Sequence, residues 1–336
     1  MSKKVVVIGG GTGTFTVLTG LKKYIPQIDI SVIVSMMDSG GSNRVIRDEF
    51  GMLPTSDIRQ AILALASNNS DKIMRDLFNY RYTQGTGISG MTFGNLFMAA
   101  LTDILGSQKE AIFETERILD VKGKVIPVTY DNSQLVATYD NGVQVLGEHF
   151  IDEPTKKTIY HRITNLEVFP KAKLNKDAKK AVLEADLIVF GPGDLYTSIL
   201  CNVVVDGLAK YVSQSNAKKL YIANIMTRFG QTDGFGLKEH LEEVEKYLGR
   251  GVLNYCLFND PQRISKKALA WYKKNDATYV VDNYTKTKNK MIVKIIKKNL
   301  VSNKFYKKSV SDKLIRSLIR HDSDKLAKAI VDLALK

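Results

Sequence analysis

A short apolar strand, Lys4 to Ile8, stops at Gly9-Gly10-Gly11-Thr12-Gly13, and a helical pattern from about Phe15 to Tyr24 follows before Pro26. A strand feeding a helix through bare glycines is the opening unit of a parallel sheet. The same unit recurs. Ile30 to Met37 reads as a second buried strand and ends in Asp38-Ser39-Gly40-Gly41-Ser42, and Leu187 to Phe190 ends in Gly191-Pro192-Gly193-Asp194-Leu195-Tyr196-Thr197-Ser198. Leu220 to Ala223 and Val252 to Phe258 supply further strands, with helices at Ala178 to Ala185 and Ile199 to Tyr211. From Lys124 to Ile151 the pattern turns antiparallel, with Leu135 to Tyr139 and Val143 to Gly147 joined around Asp140-Asn141-Gly142, a hairpin turn sequence.

The expected fold is therefore α/β: a doubly wound, mostly parallel Rossmann-like sheet spanning residues 1–260, with a β-rich insertion at about 121–165 and a basic C-terminal extension over 261–336. The extension carries the charge. From Pro261 to Lys336 there are 20 Lys and Arg against 6 Asp, so the net +14 lies entirely there and the rest of the chain is balanced. The excess is mainly lysine, without the aromatic interleaving of a single-strand platform, so a solvated face is the first reading. Nucleic acid or an anionic surface binding through Lys286 to Lys308 is the sharper one. No apolar run approaches the roughly 18 residues of a membrane helix. Cys201 and Cys256 sit among apolar neighbours with no CxxC spacing, and buried, inert thiols in a reducing, cytoplasmic setting are expected.

The chemistry is expected at the carboxyl ends of the strands, where open α/β sheets bind ligands. Backbone N–H groups of Gly9, Gly10, Gly11, Thr12 and Gly13 can approach an anion, aided by the helix dipole. The spacing does not suit a dinucleotide fingerprint, whose third glycine would fall at Thr14 or Thr16, nor a Walker loop, which needs Gly-Lys-Ser/Thr. Gly40, Gly41 and Ser42 form a second such loop, and Asp38 beside them could hold Mg²⁺ together with ligand phosphates. Gly191, Gly193, Asp194, Tyr196, Thr197 and Ser198 form a third. Thr92 or Asn95 could cap the helix at Leu96 or turn an amide to a ligand, while Asn224 and Thr227 would complete a polar wall. Asp57 reads as a helix N-cap, with ligand contact by Asp57 and Arg59 as the alternative. His149, His161, His240 and His321 show no metal spacing, and no nucleophile elbow is present.

Taken in order, VVVIGGGTGTFTVLTGLKKY, DSGGSNRVIRDEFGMLPTSDIRQAILALA, LFNYRY, MTFGNLFMAAL, GPGDLYTSILCNVVVDG, ANIMTRFGQTDGF and RHDSDKLAKAI resemble the gluconeogenesis factor family of YvcK-like proteins. That family is related to the CofD-like 2-phospho-L-lactate transferases. The resemblance implies a Rossmann-like fold, a cytoplasmic location, binding of a UDP-sugar, a role in carbon-source-dependent growth and cell shape, and by analogy a homodimer. The transferase branch implies instead a divalent metal and transfer of a phosphorylated lactyl-type group. Several departures touch the pocket. Asp38-Ser39 stands where paired aspartates are usual, Pro54-Thr55-Ser56-Asp57 replaces Pro-Pro-Gly-Asp, Met91 replaces a His, and Arg228-Phe229 replaces Gln-Pro. Losing one carboxylate at Ser39 favours a nucleotide-sugar-binding regulator without turnover over a metal-assisted phosphotransferase.

Overall fold

The computed structural model describes residues 2–67, 72–260, 266–284, 293–302 and 319–336. Among them the strands are β1 (Lys3–Ile8), β2 (Ile28–Val34), β3 (Lys124–Pro127), β4 (Gln134–Tyr139), β5 (Gln144–Leu146), β6 (Ile163–Phe169), β7 (Leu187–Phe190), β8 (Lys218–Ile222), β9 (Tyr255–Asn259) and β10 (Lys294–Lys298). Seven of them form one sheet in the order β10-β9-β8-β7-β1-β2-β3, and every pairing in it is parallel.

The continuous apolar runs are explained by burial on both faces of that sheet. Side chains alternate along a strand. Val6, Ile8, Ile188 and Phe190 accordingly enter one core, and Val5, Val7, Leu187 and Val189 enter the other. Helices α1 (Gly11–Leu21), α2 (Gly41–Phe50) and α3 (Ser56–Leu65) follow the first two strands. The chain runs from β1 outward to β2 and β3, then returns to place β7 on the other side of β1, with Ile8 opposite Phe190. That reversal is a topological switch point, the place where neighbouring loops part and leave a crevice.

The insertion is a small antiparallel sheet, β5-β4-β6. It begins later than the sequence pattern implied. Lys124 to Pro127 pairs parallel with β2 as an edge strand of the main sheet, a register no local pattern could reveal in four residues. The continuous helix expected over Ile199 to Tyr211 is also corrected. A π-helical turn occupies Leu195–Leu200, a short helix Cys201–Val203, and a separate helix Leu208–Gln214. The Asp194 carbonyl accepts from both Ser198 N and Ile199 N, which widens the first turn.

The basic region contributes to the core. β10 extends the main sheet, and the helix Ser323–Ala334, capped by Asp322, packs on α1 so closely that a Cβ at Gly20 would collide with the Ser323 carbonyl. Most of Lys286 to Lys308 lies outside the described residues. Cys201 and Cys256 are free and buried. No helix among the described residues is long and apolar enough to cross a membrane.

Candidate functional site

The loops after β1 and β7 meet because their strands are neighbours. A Cβ at Gly13 would overlap the carbonyl of Pro192, and one at Gly9 would crowd Thr14 Oγ1 with Gly191 just beyond. Gly193 approaches the Gly10 carbonyl from the other side. Asn224 Nδ2 donates to the Gly193 carbonyl at 2.8 Å, and the Tyr221 hydroxyl lies 3.3 Å from Asn224 Oδ1, which fixes the second loop from β8. Helix α1 starts at Gly11, so the glycine loop is itself the first helical turn.

Asp57 is not a cap. It lies inside the first turn of α3, and its Oδ1 accepts from the Gly11 amide at 3.0 Å. The other oxygen packs where a Gly10 side chain would stand. Burial, and then the Asp38 carboxylate, push its pKa up to about 7, against the Gly11 amide and Arg59. The folded protein therefore keeps a proton that the unfolded chain would release above the ordinary carboxylate value. The sign follows from proton linkage: stability falls as pH rises from about 4 to about 7. D57N is expected to flatten that limb, its melting temperature gaining on the wild type between pH 5 and pH 8; equal slopes would refute this.

At β2 the Asp38 carboxylate accepts from Gly40 N at 2.8 Å and from Asn43 Nδ2. Gly41 opens α2 with φ +47°, and a Cβ there would find nothing within 4 Å, so this helix end faces open space. Behind it stands Asn95, wholly buried. Thr92 Oγ1 caps its helix at the Asn95 amide, while Asn95 Nδ2 donates to Ser56 Oγ at 3.1 Å, Ser42 Oγ at 3.3 Å and Asn43 Oδ1 at 3.4 Å. Its Oδ1 accepts from Arg59 Nε at 3.0 Å. Asn95 thus sits beneath the loop and orders Ser42 and Asn43. Arg59 faces inward to the Phe78 carbonyl and Asn79 Oδ1.

Residues of the insertion complete the crevice, and sequence reasoning missed them. The short helix Glu148–Asp152 docks through His149 N to Ser39 Oγ at 3.1 Å. Burial, together with the nearby Asp38, Asp152, Asp57 and Asp194 carboxylates, holds the Glu148 pKa well above the carboxylate range. Burial likewise raises Asp38. Asp194 is raised by burial against the pull of Arg228. Arg228 Nη2 binds Asp152 Oδ2 at 2.9 Å, with Gln231 Nε2 on Asp152 Oδ1 at 3.0 Å. Burial lowers the Arg228 pKa, but Asp194, Asp152 and Glu148 outweigh it. Nothing in the local sequence around Glu148 and Asp152 resembles a site; their docking is decided by the antiparallel sheet that carries them.

Other expected contacts are not made available. Tyr196 is fully buried and faces Glu243 and Tyr247, because the π turn rotates it into the core. Thr197 is buried, its carbonyl accepting from Cys201 Sγ at 3.0 Å. Thr227 is buried against Thr278, whose amide donates to its hydroxyl at 2.8 Å. Ser198 remains half-buried beside Gly11, and Thr12 is exposed at the mouth.

Fold and site together define a Rossmann-like α/β protein with glycine-bearing helix starts at the switch point and a shared carboxylate cluster beneath them. Residues 5–301 match the family model described as 2-phospho-L-lactate transferase CofD, and the chain belongs to that family. It is 34% identical over 331 residues to a gluconeogenesis factor of Halalkalibacterium halodurans, covering 98% of this chain and 96% of that one. A gluconeogenesis factor of Listeria innocua is 36% identical over 330 residues, covering 98% and 94%. A crystal structure of a Bacillus halodurans protein superposes with a TM-score of 0.87 at 33% identity, covering 98% of this chain and all of that one.

Proposed function

We propose that this chain is a cytoplasmic regulatory protein that binds a nucleotide sugar, of the UDP-sugar type, in the crevice between the β1, β2 and β7 loops. Its role is in carbon-source-dependent growth and cell-shape control, without turnover. The observation that carries the reading is the meeting of the Gly9–Gly13 and Gly191–Gly193 loops beside the open N-terminus of α2. The backbone amides and dipole of that α2 helix start suit a diphosphate. Relatives named gluconeogenesis factor across nearly the whole chain support the regulatory assignment. Ser39 bears on turnover as well, since its hydroxyl is engaged by the His149 amide where a second carboxylate would otherwise stand.

The facing pair Asp38 and Glu148 favours a second reading, a metal-assisted phosphotransferase. Those two carboxylates would hold Mg²⁺, which would supply charge neutralisation for the ligand phosphates. Among the described residues no group of three His, Cys, Asp or Glu is arranged to hold a metal ion, so the cation is expected to enter with a bound diphosphate. Thermal unfolding with UDP-sugars, UDP, GDP and Mg²⁺ tests both readings. A UDP-sugar at about 100 times its Kd should add about 2.7 kcal/mol of stability, Mg²⁺ alone nothing, and Mg²⁺ with nucleotide a further increment. No shift with any nucleotide would refute the ligand class, and release of GMP from a guanosine diphosphate donor would establish the transferase.

A further inference from the structure

We infer that Asp57 is a specificity-determining residue that withholds the Gly11 amide from phosphate and reserves the α1 end of the crevice for a hydrogen-bond-donating part of the ligand, such as a sugar hydroxyl. The inference rests on the nucleotide-sugar reading and deepens it. Glycines at a helix start normally expose amides to an anion. Here the spaces left by the missing side chains are already filled: Asp57 covers Gly10, Pro192 covers Gly13, and Thr14 covers Gly9. The Gly11 amide itself donates to Asp57 Oδ1 at 3.0 Å.

The position resembles an anion site whose anion belongs to the protein. Above about pH 7, where Asp57 is ionised, a ligand phosphate brought to Gly11 would have to displace a carboxylate and then sit against it, and like charges a few ångströms apart in a partly buried crevice repel strongly. A hydroxyl meets the opposite situation, because a carboxylate offers acceptor lone pairs beyond the one that Gly11 uses. The α2 end is different. Gly41 has no neighbour within 4 Å of its Cβ position, and Asp38 is drawn back onto Gly40 N and Asn43. The ligand is therefore oriented with its phosphates toward α2 and its sugar toward α1. Specificity of this kind comes as much from the repelled alternative as from the attracted one.

Titrating the full chain at about pH 8, where Asp57 is ionised, with inorganic pyrophosphate and with a UDP-hexose, for wild type, D57N and D57A, tests the assignment. D57A frees the amide and removes the charge, and pyrophosphate is expected to bind about tenfold tighter or better, while the UDP-hexose gains nothing or weakens. D57N keeps the shape and should fall between wild type and D57A for pyrophosphate. Unchanged or weaker pyrophosphate binding in folded D57N overturns the inference, whatever D57A does. The two readings separate cleanly: wild type that ignores UDP-hexose defeats the nucleotide-sugar proposal, yet a gain of pyrophosphate binding in the variants would still establish Asp57 as the excluding group.

Discussion

Gly13→Ala is expected to lower the melting temperature by roughly 4 °C, corresponding to about 3 kcal/mol in a chain of this size. The added methyl would overlap the Pro192 carbonyl, with Gly193 N close behind. Both obstacles are backbone, so neither can rotate away as a side chain would. Relief requires the β1 and β7 loops to separate. They are anchored by strands paired from Val5 with Leu187 to Ile8 with Phe190, and Asn224 holds the second loop from β8. Strain and distortion of the crevice should therefore appear together. Gly41→Ala is the informative contrast. Its Cβ meets nothing, and only the positive φ is penalised, by about 1–2 kcal/mol. It should cost less stability than Gly13→Ala while still obstructing the open helix end. Differential scanning calorimetry of the pair is decisive: a Gly13→Ala protein melting within a degree of wild type would show that the loops are not in contact.

Asn95→Ala should also be damaging, for a different reason. One fully buried amide accepts from Arg59 and donates toward Ser42, Asn43 and Ser56. Truncation leaves a buried guanidinium N–H without its acceptor, and losing a buried hydrogen bond to a charged group costs about 1.5–3 kcal/mol. Arg59 keeps its bonds to Phe78 and Asn79, so the lower end of that range is expected. The effect should travel. Asn43 also donates to Asp38, so loosening it frees the carboxylate at the α2 helix start. Urea denaturation should show a lower midpoint with an unchanged slope, the sign of lost stability without a changed unfolded state. A loss under 1 kcal/mol would mean that Asn95 is not the hub its contacts describe.

The two substitutions concern residues of very different legibility. Gly13 was visible in the sequence as part of an anion-friendly loop, yet the reason for its missing side chain is the Pro192 carbonyl. Asn95 was visible as a polar residue at a helix start, and its sequence neighbour Thr92 does the capping instead. Tyr196 looked available because it stands in a glycine-rich loop, but a single π turn carries its ring into the core.

What local sequence determined on its own were the elements whose physics is local. Apolar runs buried on both faces announce β1, β2 and β7, glycines announce the loops that follow them, and Asn141-Gly142 announces the β4–β5 turn. Such signals work because neighbouring residues along the chain settle them. The tertiary structure alone decided who meets whom: that β3 joins the main sheet, that β10 from the basic region extends it, that Glu148 and Asp152 swing in from the insertion, and that Asp57 answers the Gly11 amide across 46 residues. Those pairings are made by burial and charge between segments far apart in sequence, and no window of consecutive residues contains both partners.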